Sequence, residues 1–341
     1  TEMLTFIISI ATIATIVAIL AYLFFQLDSD VTLWLHEKFG KSPSMFRLLF
    51  RTHVTNSFSE TLKNKVVWIT GASSGIGEGL AYVLSEIGAK LVLSGTNEAN
   101  LNEVRRKCLT LNSTLKSEDV IIVAFNMMDT DKHSTSFDKV LKHFGQIDIL
   151  VNNAGKSQRS TFEEIDNKVD HELFEINVFG LVNLTRIVLK HWYENNYKGH
   201  IVVNSSIAGK LGIPNSATYT GSKHALHGYF ECLRLESYFR GIRITMVCPG
   251  PVFSNVLKNA LTGKPGEVFG VEHKPDSKRM PTRRCADLMT IAIANQLDEV
   301  WISDHPILAG FYAIQYFPSL TRLFMTKFMT KEKFSKLRDG N

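Results

Sequence analysis

A chain of 341 residues with 45% hydrophobic composition has ample apolar material for a packed core, which excludes disorder of the whole chain. Its formal net charge of +5 is modest and its acids and bases are interspersed, so an extended nucleic-acid groove is not expected. Four scattered cysteines, Cys108, Cys232, Cys248 and Cys285, have neither metal-ligand spacing nor the density of a disulfide scaffold; they read as buried free thiols, with no metal site.

The run Met3 to Phe25 carries no charged side chain and is long enough to cross a bilayer as a helix with its backbone groups satisfied internally. A cleaved leader would have a shorter apolar stretch, a basic start and a small-residue cleavage site, so residues 1–27 read as a retained single-pass transmembrane helix. Residues 28–64 form a polar connector in which Trp34, His36, Phe46, Arg47, Phe50 and Arg51 suit a membrane interface, predicting a short helical collar.

From Lys65 the pattern changes to short apolar runs bounded by Gly, Asn or Asp and separated by helix-length segments. Strands are predicted near Val66–Thr70, Lys90–Ser94, Val120–Phe125, Ile149–Val151, His200–Ser205, Arg243–Cys248 and Val300–Ser303. Their near-continuous apolar character fits strands covered on both faces. Residues 65–303 therefore read as an α/β domain with a doubly wound, mostly parallel seven-stranded sheet, Rossmann-like, whose ligand crevice opens at the carboxyl ends of the strands.

Residues 304–341 begin with an aromatic and aliphatic stretch, Pro306 to Met325, and end with Lys327, Lys331, Lys333, Lys336 and Arg338. An apolar stretch grading into basic residues reads as a segment lying on lipid headgroups. For its first half, a helix completing the core is the competing reading.

Three motifs carry chemistry. In VVWITGASSGIG an apolar strand passes through Gly71, Ser73, Ser74, Gly75, Ile76 and Gly77 into a helix predicted to start near Glu78. That placement lets backbone approach a pyrophosphate and sets a helix N-terminus against its charge. In IDILVNNAG, Asn152 and Asn153 can bridge adjacent loops through donor and acceptor, while Ala154 and Gly155 leave room for a flat ring; a structural turn explains this motif alone equally well. In Tyr219-Thr-Gly-Ser-Lys223 the phenol and ammonium share one helix face, with Ser206 upstream at a strand end. A cation beside the phenol would lower its pKa from about 10 toward the range where proton transfer at neutral pH is efficient.

TGASSGIG, NNAG, the Ser206 strand end, YTGSK and Pro249-Gly250 occur in the order found in the short-chain dehydrogenase/reductases, which this chain resembles over roughly residues 65–303. The stretches DILVNNAGKSQRS, SKHALHGYF, CPGPVFSN and EVWIS, with the apolar N-terminus and aromatic tail, resemble the retinal short-chain dehydrogenase type of the endoplasmic reticulum membrane. The resemblance implies a hydride transfer between NAD(P)(H) and an alcohol/carbonyl pair. Tyr219 would be the acid/base, Lys223 would tune it and hold the nicotinamide ribose, and Ser206, chosen over Ser205 by its spacing from Tyr219, would orient the substrate oxygen. Asn177, in FEINVFG, would hold a proton-relay water. Asn153, Ala154, Gly155, Pro249, Gly250, Val252 and Ser254 would join the glycine turn, Tyr219 and Lys223 in binding the cofactor, with Ser254 reaching the carboxamide.

Past the second strand, where the family usually chooses its cofactor, stand Gly95 and Thr96, neither charged. Ser94, Thr96 and Asn97 can hydrogen-bond a phosphate and no acid repels one, so NADP(H) is expected over NAD(H). Asn126 replaces the family's frequent aspartate and can still accept from the adenine amine. The stretch Pro251 to Met280, with Phe253, Val256, Leu257 and Phe269, matches the family's mobile substrate loop. Together with an anchor it suggests a lipophilic substrate, a retinoid, steroid or similar, taken from membrane lipid. The family commonly forms homodimers through the helices bearing the lysine and the asparagine. The rival reading, a catalytically silent dinucleotide-binding membrane scaffold, leaves the Ser206, Tyr219 and Lys223 set without a purpose. Asn112-Ser113-Thr114 fits a glycosylation signal on a surface loop, which would report which side of the membrane the domain faces.

Overall fold

In the computed structural model, which describes residues 2–39, 58–272, 277–328 and 330, seven strands form one parallel sheet. They are β1 Val66–Thr70, β2 Lys90–Ser94, β3 Val120–Ile122, β4 Ile149–Asn152, β5 His200–Asn204, β6 Arg243–Pro249 and β7 Glu299–Ile302. The spatial order is β3-β2-β1-β4-β5-β6-β7, so the chain winds outward in opposite directions from the β1/β4 pair. Those two carboxyl ends therefore part and leave a crevice, which is where Thr70 and Asn152 end.

The strand sequences fit this two-sided burial. All five residues of VVWIT are buried. Val67 and Ile69 pack with Leu80, Leu84, Leu288 and Met289 in one apolar cluster, whereas Val66 and Trp68 pack with Phe137, Leu184 and Phe230 in the other. The first layer is built from α4 Gly75–Ile87, α5 Glu98–Leu111 and α10 Thr282–Ala294; the second from α6 Asp131–Phe144, α8 Gly180–Glu194 and α9 Ala217–Ser237. Trp68 and Trp192 are fully buried with their indole N–H groups donating to Ser94 Oγ at 2.8 Å and Ile147 O at 2.9 Å, so neither burial leaves an unpaired donor.

Six of the seven predicted strands agree with the structure to within one residue at each end. The third regular strand stops at Ile122, yet Val123 N and Phe125 N still donate to Leu93 O and Gly95 O, so the backbone keeps its place beside β2 beyond the regular ladder. The first crossover helix begins at Gly75 rather than near Glu78, because glycine at φ +61° can open a helix directly from the turn. Cys108, Cys248 and Cys285 are buried free thiols; Cys232 instead lies exposed on α9.

Residues outside the sheet fall differently from expectation. Helix α1, Glu2–Phe25, spans 24 residues, and its ring of Phe24 packs edge-on against His305 and Tyr312. The side chains of Leu4, Thr5, Ile7 and Ile8 lie outside the described residues, and among the described residues no helix is long and apolar enough to cross a membrane. After it, the connector carries a short helix, as expected, and residues 28–39 are stitched onto the domain. Ser29 bridges Ile302, Asp30 accepts from Trp301 N, and Arg284 of α10 donates to both Asp28 and Glu37. Within α2, Val31–Phe39, Leu33 and His36 are buried and Trp34 is half-buried. Phe46, Arg47, Phe50 and Arg51 lie outside the described residues, as do Lys331, Lys333, Lys336 and Arg338. At the C-terminal end, α11 Ile307–Tyr316 buries Leu308 and Phe311 and so completes the core, while α12 Pro318–Phe328 buries no residue and exposes Leu320, Leu323 and Phe324. Asn112, expected on a surface loop, is half-buried and donates its amide to Ser85 O at 2.9 Å.

His200, on β5, gives the fold a measurable acid sensitivity. Its ring is fully enclosed, meets Thr245 Oγ1 at 2.8 Å, and is pushed down from 6.5 to about 3, first by burial and then by Arg243 and Arg234. The folded value lies below the unfolded one, so the contribution of His200 is complete above pH 6.5 and is lost as pH falls toward 3. Urea-unfolding free energy is expected to decline over that window, and His200→Gln to flatten the decline. An equally steep profile in the variant would show that another group controls it.

Candidate active site

A cleft of about 2150 Å³ opens at the carboxyl ends of the strands. Its walls include Gly71, Ser73, Ser74, Gly75, Ile76, Thr96, Asn126, Asn153, Ala154, Gly155, Ser206, Tyr219, Lys223, Pro249, Gly250, Val252 and Ser254. Two expected residues, Gly77 and Asn177, stand behind the wall, Gly77 acting through packing and Asn177 through hydrogen bonds.

The glycine turn explains itself by what a methyl group would strike. A Cβ on Gly77 would lie 2.4 Å from Gly71 O and 2.5 Å from Asn153 Nδ2, and one on Gly71 would lie 2.8 Å from Ala154 Cα. The backbone of the turn is thus packed directly on NNAG, and the first turn of α4, with N–H groups that have no partner within the helix, faces the cleft. Ser254, across the turn, would touch a Cβ on Gly75 at 3.1 Å. This cradle fits the pyrophosphate of a dinucleotide, since small groups and helix-terminal donors line it and, among the described residues, no carboxylate does.

From the turn a continuous set of hydrogen bonds runs to the chemistry. Asn153 Nδ2 donates to Thr70 O and Gly71 O at 2.9 and 3.1 Å, and Thr70 Oγ1 accepts from Asn153 N and Ala154 N. Asn204 Nδ2 donates to Asn153 Oδ1 at 2.7 Å, and Lys223 Nζ donates to Asn204 O at 2.9 Å. Asn177, fully buried, sits on a π-turn, Glu175–Phe179, inserted between α7 Asn167–Phe174 and α8. Its amide donates to Lys156 O and Ser222 Oγ and its oxygen accepts from Lys156 N, so its side chain acts as a brace.

Of the adjacent serines, Ser206 is the one whose hydroxyl bears on the Tyr219 phenol; its Oγ donates to Pro249 O at 3.4 Å and accepts from Ala208 N at 3.1 Å, whereas Ser205 Oγ is turned away, 3.1 Å from His227 Nε2. Lys223 Nζ lies 5.7 Å from the centre of the Tyr219 ring, which places the pair together as the helical spacing predicts. The electrostatics differ from expectation. Burial holds the Tyr219 phenol above its ordinary value; the opposing, lowering influences are the Ser206 hydroxyl and the Arg159 guanidinium, not Lys223. Burial also pushes Lys223 itself down, to about 8, which makes it a weaker cation for its neighbour.

Arg159 was not singled out by the sequence, although its cation in KSQRS, directly after NNAG, was a visible sign. Thr70 and Asn204 were also missed as braces, because a Thr or Asn at a strand end carries no distinguishing pattern. At the nucleotide end, Ser94 is buried and its hydroxyl accepts from Trp68, while Asn97 spends its side-chain oxygen capping α5. Of the three residues expected to meet a phosphate, only Thr96 has no such prior engagement among the described residues, and it lines the cleft. Asn126 Oδ1 accepts from Met128 N at 3.2 Å and lies on the same wall. Outside the cleft, His227, Glu231 and Glu299 bring metal-ligand atoms together, but Lys210 and Trp301 already occupy the two Glu299 oxygens, each at 2.7 Å.

Comparison with known proteins agrees with this geometry. Human dehydrogenase/reductase SDR family member 7 is 41% identical over 318 residues, covering 93% of this chain and 88% of that protein. The mouse protein of the same name is 43% identical over 297 residues, covering 87% and 82%. A short chain dehydrogenase/reductase from Burkholderia phymatum, solved in complex with NAD, superposes with a TM-score of 0.64 at 26% identity, covering 76% of this chain and 96% of that one. An alcohol dehydrogenase from Thermococcus sibiricus, complexed with 5-hydroxy-NADP, shares the fold at a TM-score of 0.61 and 22% identity, over 71% and 97%. The family model for short chain dehydrogenases matches residues 65–264, more than half of the sequence. The chain belongs to the short chain dehydrogenase family of NAD(P)-dependent oxidoreductases.

Proposed function

We propose that this protein interconverts a lipophilic carbonyl and its alcohol, a retinoid, steroid or similar molecule, with Tyr219 as the acid/base. The observation that carries the reading is the convergence of Ser206, Tyr219 and Lys223 on one cleft whose far end is lined by Phe311, Ile314, Phe324 and Met325 of the C-terminal helices. A bound nicotinamide supplies or accepts the hydride. Ser206 positions the substrate oxygen against the Tyr219 hydroxyl, which, held protonated by burial, is in the form needed to donate a proton to it. Lys223, fixed by Asn204 and braced through the Asn153 chain, sets where the cofactor sugar can lie.

NADP(H) is the cofactor we favour, because Thr96 offers a hydroxyl on the cleft wall and, among the described residues, no carboxylate lines that wall to repel a phosphate. NADPH is expected to bind more tightly than NADH, and Thr96→Asp to reverse the order; unchanged preference in the variant would remove Thr96 from the choice. We further propose that α1 anchors the protein in the endoplasmic reticulum membrane. The reading is supported by the uncharged run Met3 to Phe25, along which Phe6, Ile10, Ile13, Ile16 and Leu20 are exposed, and by the exposed Leu320, Leu323 and Phe324 of α12. Homodimerisation through α8 and α9 would cover Tyr229 and Leu235, which are exposed. Cofactor oxidation across retinal, steroid and quinone panels tests the central reading; no turnover on any carbonyl would favour a silent membrane scaffold.

A further inference from the structure

Arg159 is a cation without a counter-charge in a largely buried place. Its Nη1 donates to Ser157 Oγ at 2.9 Å, Gln158 O at 2.8 Å and Ser216 Oγ at 2.6 Å, all neutral acceptors. Among the described residues no carboxylate pairs with it. The backbone holds the same segment, with Arg159 N donating to Leu261 O at 2.8 Å, so the side chain is fixed from both ends. Taking a guanidinium out of water without a partner is costly, and an arginine so placed is matched by an anion brought by a ligand.

The surroundings point the same way. Arg279 and Lys278 line the cleft together with Arg159, and among the described residues no aspartate or glutamate lines it. Two other cleft cations have carboxylate partners: Lys156 pairs with Glu172 and Lys210 with Glu299. The phosphates of a dinucleotide do not account for Arg159. They belong at the N-terminus of α4, whereas Arg159 follows NNAG on the far side of Gly155 and bonds Ser216, the residue that opens α9 one turn before Tyr219.

Resting on the oxidoreductase reading above, we propose that Arg159 binds a carboxylate on the substrate, which makes the preferred substrate an amphipathic oxo- or hydroxy-acid. Its carboxylate lies within a few bonds of the reacting carbon, and its apolar body runs toward α11 and α12. In the reductive direction hydride passes from the nicotinamide to the carbonyl carbon and a proton from Tyr219 to the oxygen. The C=O becomes CH–OH, the cofactor leaves oxidised, and the carboxylate is unchanged.

The test compares 2-oxo-, 4-oxo- and 6-oxodecanoate with their methyl esters and with 2-decanone, in wild type, Arg159→Met and Arg159→Lys. A charge-assisted pair predicts that wild type favours at least one acid over its ester by about 10- to 100-fold in kcat/KM, chiefly through KM. Arg159→Met should bring acid and ester close to parity, and Arg159→Lys should retain part of the preference. Decanoate, which cannot react, should raise the melting temperature of wild type but not of Arg159→Met, whereas decanol should not discriminate between them. Equal use of acid and ester by wild type overturns the proposal, and that comparison does not depend on any variant folding. A uniform loss on all substrates in Arg159→Met, with a displaced pH profile, also overturns it, since Arg159 would then act only on Tyr219. Turnover surviving in Tyr219→Phe would instead defeat the reading on which the proposal rests.

Discussion

Tyr219→Phe is expected to lose about 10²- to 10⁴-fold in turnover while binding NADPH with little change. The substitution removes one oxygen and leaves the ring, so its packing against Leu261, Val169 and Leu173 persists. What disappears is the proton donor facing Ser206. Cofactor affinity should survive because the glycine turn, Asn153, Asn204 and Lys223 are linked through their own hydrogen bonds, none of which uses the phenol. Single-turnover kinetics with NADPH and a titration by cofactor fluorescence would separate the two quantities. Appreciable turnover would show that another group supplies the proton; loss of cofactor binding would show that the phenol is structural.

The second large effect belongs to a methyl group. Gly77→Ala is expected to cost about 1–3 kcal/mol or more and to weaken dinucleotide binding sharply. Its Cβ would meet Gly71 O at 2.4 Å and Asn153 Nδ2 at 2.5 Å, and neither can yield cheaply because they are bonded to each other and Asn153 is also held by Thr70 and Asn204. Gly228→Ala on the exposed face of α9 is the control, with nothing within 4 Å of the added carbon; it should stabilise by about 0.5–1 kcal/mol through helix propensity. Paired thermal melts, with and without NADPH, read both. If the two variants melt alike, steric contact at the turn is not what requires glycine there.

The sheet was legible in the sequence because strands buried on both faces leave apolar runs that stand out from their neighbours, and the site was legible because its motifs fall at strand ends. What escaped reading has physical causes. The start of α4 was placed late because Gly75 is a poor helix former in general, and only its positive φ in this turn makes it a good opening residue. The behaviour of Tyr219 was misjudged because helical spacing reports proximity to Lys223 but says nothing of the burial that raises the phenol and weakens the lysine. Arg159 was passed over because its importance lies in the lack of a carboxylate partner among the described residues around it, and neighbours in space cannot be counted along a chain.

The grip of Arg284 on Asp28 and Glu37 has a mechanical outcome. A domain tethered through a slack strap would swivel about it and present every face in turn. Here the strap is riveted to the body within a few residues of the end of α1, so whatever medium receives that helix also dictates where the mouth of the cleft is aimed.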